Sequence, residues 1–169
     1  GNSSHMDELR QELLGSGDLA AYESLLRVSY RKRDFDDMND ILSELSSLDG
    51  AQDLIKLYST LASLEEEYHV IASKIRHFID ATKKDLAIAY KKDYRDMEIH
   101  LALFDPNQNK FIYNGVLEEP YPDFLDLNAF HDGEKDLLAI TRYMGMSATS
   151  GINLDFYEFA GDQLIKVEE

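Results

Sequence analysis

Cysteine is absent from the chain, and no proline occurs before Pro106. Without thiols there is no disulfide scaffold, no cysteine nucleophile, no iron–sulfur cluster and no thiolate zinc site. Positive charge is scarce as well. Only 17 Lys+Arg stand against 33 Asp+Glu in 169 residues, a formal net charge of −16. A sequence-independent hold on nucleic-acid phosphates needs a basic surface, so direct nucleic-acid binding is set aside. No apolar run approaches the roughly 18–20 residues of a membrane span. After Met6 no basic stretch leads into an apolar one, as a secretory leader would require. With no cysteine to pair, a reducing cytoplasm is the expected compartment.

What is present suits a folded core: 44% of the residues are hydrophobic and 11% aromatic. Residues 1–5 read as the remnant of an expression tag. Two regions follow, 6–96 and 97–169, with different periods.

Residues 6–96 carry helical spacing. Gly15-Ser16-Gly17-Asp18 ends a short helix and offers Asp18 as the N-cap of the next. Asp34 caps another, striped by Phe35, Met38, Leu42 and Leu45 and stopped at Gly50. Beyond it, Leu54, Leu61, Tyr68 and Ile75 recur every seven residues, and Leu57, Leu64, Ile71 and Phe78 follow each by three. That is an a/d seam. It predicts a single helix from Ala51 to about Tyr94, on the order of 60 Å long at 1.5 Å per residue. Such a helix belongs in an antiparallel helical bundle, or in a homodimeric coiled coil made through residues 51–94.

From Met97 the period becomes 2. Met97, Ile99, Leu101 and Leu103 alternate with the residues between them, Pro106-Asn107-Gln108-Asn109 turns the chain, and Lys110 to Leu117 runs back. Residues 118–130 read as an acidic, proline-bearing loop. Gly133 to Met144 shows helical spacing, and Met146 to Gly151 reads as a small-residue linker. A second hairpin turns at Gly161-Asp162. The expected fold class is α+β: a helical bundle with one heptad-patterned helix, then a small antiparallel sheet of two hairpins covered by one helix.

Charge and aromatics concentrate in residues 97–169, with 4 basic against 14 acidic residues, a net of −10, and 10 of the 18 aromatics. Glu118, Glu119, Tyr121, Asp123, Phe124 and Tyr157 are the candidate interaction residues, since rings within a negative field suit a partner with a basic surface.

Catalytic constellations do not emerge. Glu66-x-x-His69 has the carboxylate–histidine spacing of a di-iron helix, but no second such motif accompanies it. His100, two residues from Glu98, reads as solvent-facing, and His131-Asp132-Gly133 as capping and turn chemistry. No nucleophile elbow, phosphate loop, dinucleotide fingerprint or His-Glu-x-x-His occurs. The expectation is a non-catalytic interaction or regulatory module without cofactor or metal. The alternative is a small acidic inhibitor, of the immunity or anti-defence type, that blocks a basic toxin or nucleic-acid-processing enzyme.

Overall fold

The computed structural model describes residues 2–119, 121–145 and 151–167. Two units divide the chain, Gly1–Ala62 and Ser63–Glu169.

The first unit holds α1 (Asn2–Ser16), α2 (Leu19–Arg31), α3 (Phe35–Leu45) and most of α4 (Gln52–Glu67). Its starts are set by side chains. Asp18 accepts from the Ala21 amide at 3.2 Å, and Asp34 from the Asp37 amide at 3.0 Å, so each aspartate satisfies an amide that the helix leaves open. α2 and α3 pack through Tyr22, Leu26, Met38, Ile41 and Leu45, all fully buried. Asp37 takes hydrogen bonds from Ser29 and Arg10. Burial alone would raise its carboxyl, but these two donors outweigh burial and hold it below the usual aspartate value.

The second unit is built from two four-stranded antiparallel sheets, each a meander in chain order. The first contains β1 (His69–Arg76), β2 (Asp85–Lys91), β3 (His100–Asp105) and β4 (Lys110–Val116). The second contains β5 (Phe124–Asp132), β6 (Lys135–Met144), β7 (Gly151–Ala160) and β8 (Gln163–Val167). β5 packs against β1 and reaches β2. Between the sheets lie Ala87, Leu101 and Leu103 of the first and Leu125, Leu127, Leu138, Ile140 and Phe159 of the second. Gly115 is needed on β4 because a Cβ there would collide with the Tyr113 hydroxyl, whose ring packs against this core.

This architecture corrects the expected fold class. Neither a long heptad helix nor a coiled coil forms. α4 stops at Glu67, after three consecutive glutamates whose charge opposes the negative end of the helix dipole. Only Leu54, Leu57, Leu61 and Leu64 of the seam are helical. Ile71 and Ile75 belong to β1, with Tyr68 just before it and Phe78 just after. A register shift between Val70 and Ala72 breaks the strict alternation of β1 and leaves a spacing that imitates a heptad. The 51–94 dimer loses its basis with the helix.

The expected covering helix at 133–144 is likewise strand β6, and most of the expected acidic loop is β5. Both β2 and β6 are near-continuous apolar runs, the pattern of strands buried on both faces, which has no period of two to read. Gly133, at φ 73°, turns β5 into β6. The two hairpins do form: β3 pairs with β4 across residues 106–109, with Asn109 at φ 53°, and β7 pairs with β8 across Gly161-Asp162. The linker at Met146 to Ser150 lies outside the described residues.

The first sheet buries both faces of its central strands. Leu86, Ile88, Tyr90, Ala102 and Phe104 are buried on the side away from the inter-sheet core. The second sheet does not. On its outward side β5 carries Phe124 and Phe130, β7 carries Ile152 and Leu154, and β8 carries Ile165 and Val167, all exposed. Leu154→Ser should therefore shift stability by about 0.5 kcal/mol or less, whereas Leu138→Ser on the inward side should cost about 3 kcal/mol. Urea unfolding of both variants checks this contrast, and a large loss at Leu154 would mean that the outward face is covered.

Candidate functional site

The connection between the two sheets, residues 117–123, gathers most of the expected interaction residues. Leu117 is buried, and its amide donates to the Ile99 carbonyl at 2.8 Å. Next to it, the Glu118 carbonyl accepts from Arg142 Nη1 at 2.7 Å, while the Glu118 side chain stays exposed. The buried guanidinium thus holds the backbone and leaves the carboxylate in solvent. Glu119 is exposed too. At the far end, the Asp123 amide donates to the Tyr143 carbonyl at 3.0 Å, and its carboxylate accepts from the Gly145 amide at 2.8 Å.

Tyr121 is half-buried against the inter-sheet core. Burial raises its phenol, and the carboxylates of Glu119 and Glu98 raise it further. This places Glu98 in the same negative field as the connection. Phe124 begins β5 with 58% of its surface exposed and its ring 5.3 Å from that of Tyr143. Five of the six expected residues therefore share one stretch. Tyr157 does not: it points inward and packs against the core.

His100 departs from its expected place. It is 8% exposed, its ring stacks on Tyr90 at 5.0 Å and 17°, and its Nε2 lies 3.2 Å from Glu98 Oε1. Tyr90 in turn donates to Asn114 Oδ1 at 2.8 Å and stands 4.5 Å from Tyr68. Strand register explains the change, since His100 pairs with Tyr90 on a face of the sheet that is buried.

Two polar clusters were not visible in the sequence. In the first, Lys83 Nζ bridges Asp85 Oδ1 at 3.2 Å and Asp105 Oδ2 at 2.9 Å. Asp85 is fully buried, and its Oδ2 has no hydrogen-bond partner among the described residues. Burial raises the Asp85 carboxyl, a shift that Lys83 opposes and the nearby Asp105 and Asp80 assist. Asp105 goes the other way: burial would raise it, but Lys83 and the amides of Gln108 and Asn107 outweigh that and lower it. In the second cluster, Asp136 accepts from the His77 amide at 3.2 Å and from His131 Nδ1 at 3.0 Å, and its own amide donates to the His77 carbonyl at 2.8 Å. Asp136 thereby ties the β1–β2 connection to the β5–β6 hairpin, a structural task. Both clusters join residues distant in sequence, so no local spacing could announce them. Among the described residues no group of three or more His, Asp or Glu side chains converges as metal ligands would, and no helix is long and apolar enough to cross a membrane.

No family model, curated protein or solved structure matches this chain.

Proposed function

We propose that this chain is a non-catalytic protein-binding module that recognises a partner with a basic surface. The observation that carries the reading is the anchored connection at 117–123. It holds Glu118, Glu119 and Asp123 in solvent beside the exposed ring of Phe124. Its backbone is tied to Arg142 and Tyr143 and the Asp123 carboxylate to the Gly145 amide, so little conformational entropy remains to be lost when a partner binds. Carboxylates at the border of an apolar anchor steer an oppositely charged protein and select against acidic ones. The net charge of −10 over residues 97–169 extends the same field. It also favours one form of this function, in which the basic partner is an enzyme and the module blocks its anion-binding groove.

The test is Glu118→Lys combined with Glu119→Lys, sparing Asp123 because its carboxylate accepts from Gly145. A basic protein captured by the wild-type chain at low salt should bind the double variant roughly tenfold or more weakly, with a flatter salt dependence. Unchanged affinity and salt dependence would remove the connection from the binding surface.

A further inference from the structure

We infer that the outward face of the second sheet is the docking surface itself, and that its occupant is a partner protein presenting an apolar patch bordered by lysine and arginine. This rests on the reading of the chain as a protein-binding module, and it names where and what the module binds.

The first argument is the pattern of β6. A sheet with one wet face alternates apolar and polar residues, whereas Leu137, Leu138, Ala139 and Ile140 are apolar in succession. The inward pair, Leu138 and Ile140, packs in the inter-sheet core. The outward pair, Leu137 and Ala139, is buried as well: Phe130 lies opposite Leu137, Phe156 opposite Ala139, and the two rings meet at 5.8 Å. Around them Phe124, Phe130, Ile152, Leu154, Ile165 and Val167 are between 38% and 67% exposed. β6 is thus buried on both faces, while β5, β7 and β8 leave these six apolar side chains exposed. Four strands about 4.8 Å apart and about nine residues long give a face of about 550 Å². Asp126, Asn128, Thr141, Glu158 and Gln163 share that face, so its apolar part is smaller, and exposed apolar patches among polar residues mark interaction sites.

The second argument is charge, and it decides between a second copy and a different partner. From β5 to β8 the sequence holds three cations, Lys135, Arg142 and Lys166. Lys135 lies 2.7 Å from Glu158, and Lys166 lies 3.4 Å from Asp155. Arg142 is buried, its guanidinium turned to the Glu118 carbonyl. The outward side of β5, by contrast, carries Asp126 and Asp132 beside Phe124 and Phe130, with Asp123 before the strand and Glu134 after it. A face-to-face copy would set acidic border against acidic border in a pair of chains that each carry −16. A patch rimmed by lysine and arginine meets the same border with complementary charge. The area, below the roughly 800 Å² per partner of a standard interface, suits an association that also draws on charge.

The experiment uses the full chain and a fluorescently labelled helical peptide of leucine and lysine, with a leucine stripe between lysine rows. Two control peptides accompany it, one with glutamate for every lysine and one of the same composition with the stripe scrambled. Phe130→Ser with Leu154→Ser removes apolar contact without changing charge, and its melting temperature is measured beside that of the wild type. The striped lysine peptide should bind the wild type, bind the double-serine variant roughly tenfold more weakly, and weaken on raising salt. The glutamate peptide should not bind, and light scattering should show a monomer at low and at high salt. A dimer that the double-serine variant abolishes would make a second copy the occupant and overturn the proposal. So would glutamate and lysine peptides that bind alike. Equal binding of the striped peptide to wild type and double-serine variant would remove the face from recognition. If Glu118→Lys with Glu119→Lys still weakens that binding, the module reading survives at the connection; if it does not, both readings fall.

Discussion

Phe159→Ala is expected to cost about 3–5 kcal/mol, a large share of the roughly 5–15 kcal/mol that stabilises an ordinary domain. The ring is 1% exposed on β7. It meets Phe78 edge-on at 5.7 Å and Tyr113 at 6.0 Å, so it joins the second sheet to the first sheet's own strand and to the segment that follows β1. Truncation leaves a cavity with first-sheet side chains on one wall and second-sheet side chains on the other, and neither sheet can close it without sliding over its partner. Urea unfolding followed by circular dichroism should show a lower midpoint with an unchanged slope. Phe124→Ala, at a ring 58% exposed, should change the midpoint little. A loss below about 1 kcal/mol at Phe159 would mean that the two sheets do not share this core.

Lys83→Met should cost about 3 kcal/mol at neutral pH, the low end for breaking a buried ion pair, because the lysine is partly solvated. The loss arises from what is left behind. Asp85 and Asp105 are buried and would face each other without the ammonium that bridges them. The sign with pH follows from the shifts. Asp105 lies below its unfolded value in the wild type, so its contribution is present above that value and disappears as pH falls through its folded value, below about 4. Asp85 lies above its unfolded value, so it favours the fold below that value and ceases to as pH rises through its folded value. Once Lys83 is removed both carboxyls rise, and the cost of the substitution should shrink as pH falls and they take up protons. Adding Asp85→Asn should recover most of the neutral-pH loss. Stability of the single and double variants at two pH values checks this. A cost that stays constant with pH would show that the lysine acts through packing alone.

Several elements could be read directly. Asp18 and Asp34 are caps whose role depends only on residues two or three further along, and α2 and α3 begin where they predict. The turns at 106–109 and 161–162 are equally local, and both hairpins stand there. Of the candidate site, five residues between Glu118 and Phe124 are neighbours in sequence and stay neighbours in space. Tyr157 lies apart from them and packs against the core, because alternation along a strand says which residues share a face, and only the second sheet's docking on the first says which face is inside.

Composition and local spacing thus determined an acidic, thiol-free chain, its helix starts and its turns, because each depends on charge totals or on contacts a few residues long. Tertiary structure decided the rest. Leu86 to Tyr90 and Leu137 to Ile140 are apolar at every position, and such a run is compatible with a buried helix or with a strand packed on both faces. The choice was made by antiparallel neighbours up to 20 residues away, such as Val70 opposite Tyr90 and Tyr157 opposite Leu138. It was made again by the stacking of β5 on β1. On the outward side of the second sheet Leu137 and Ala139 of β6 are buried while Phe124, Phe130, Ile152 and Leu154 on the strands beside them are exposed, a difference that no period in the sequence could reveal.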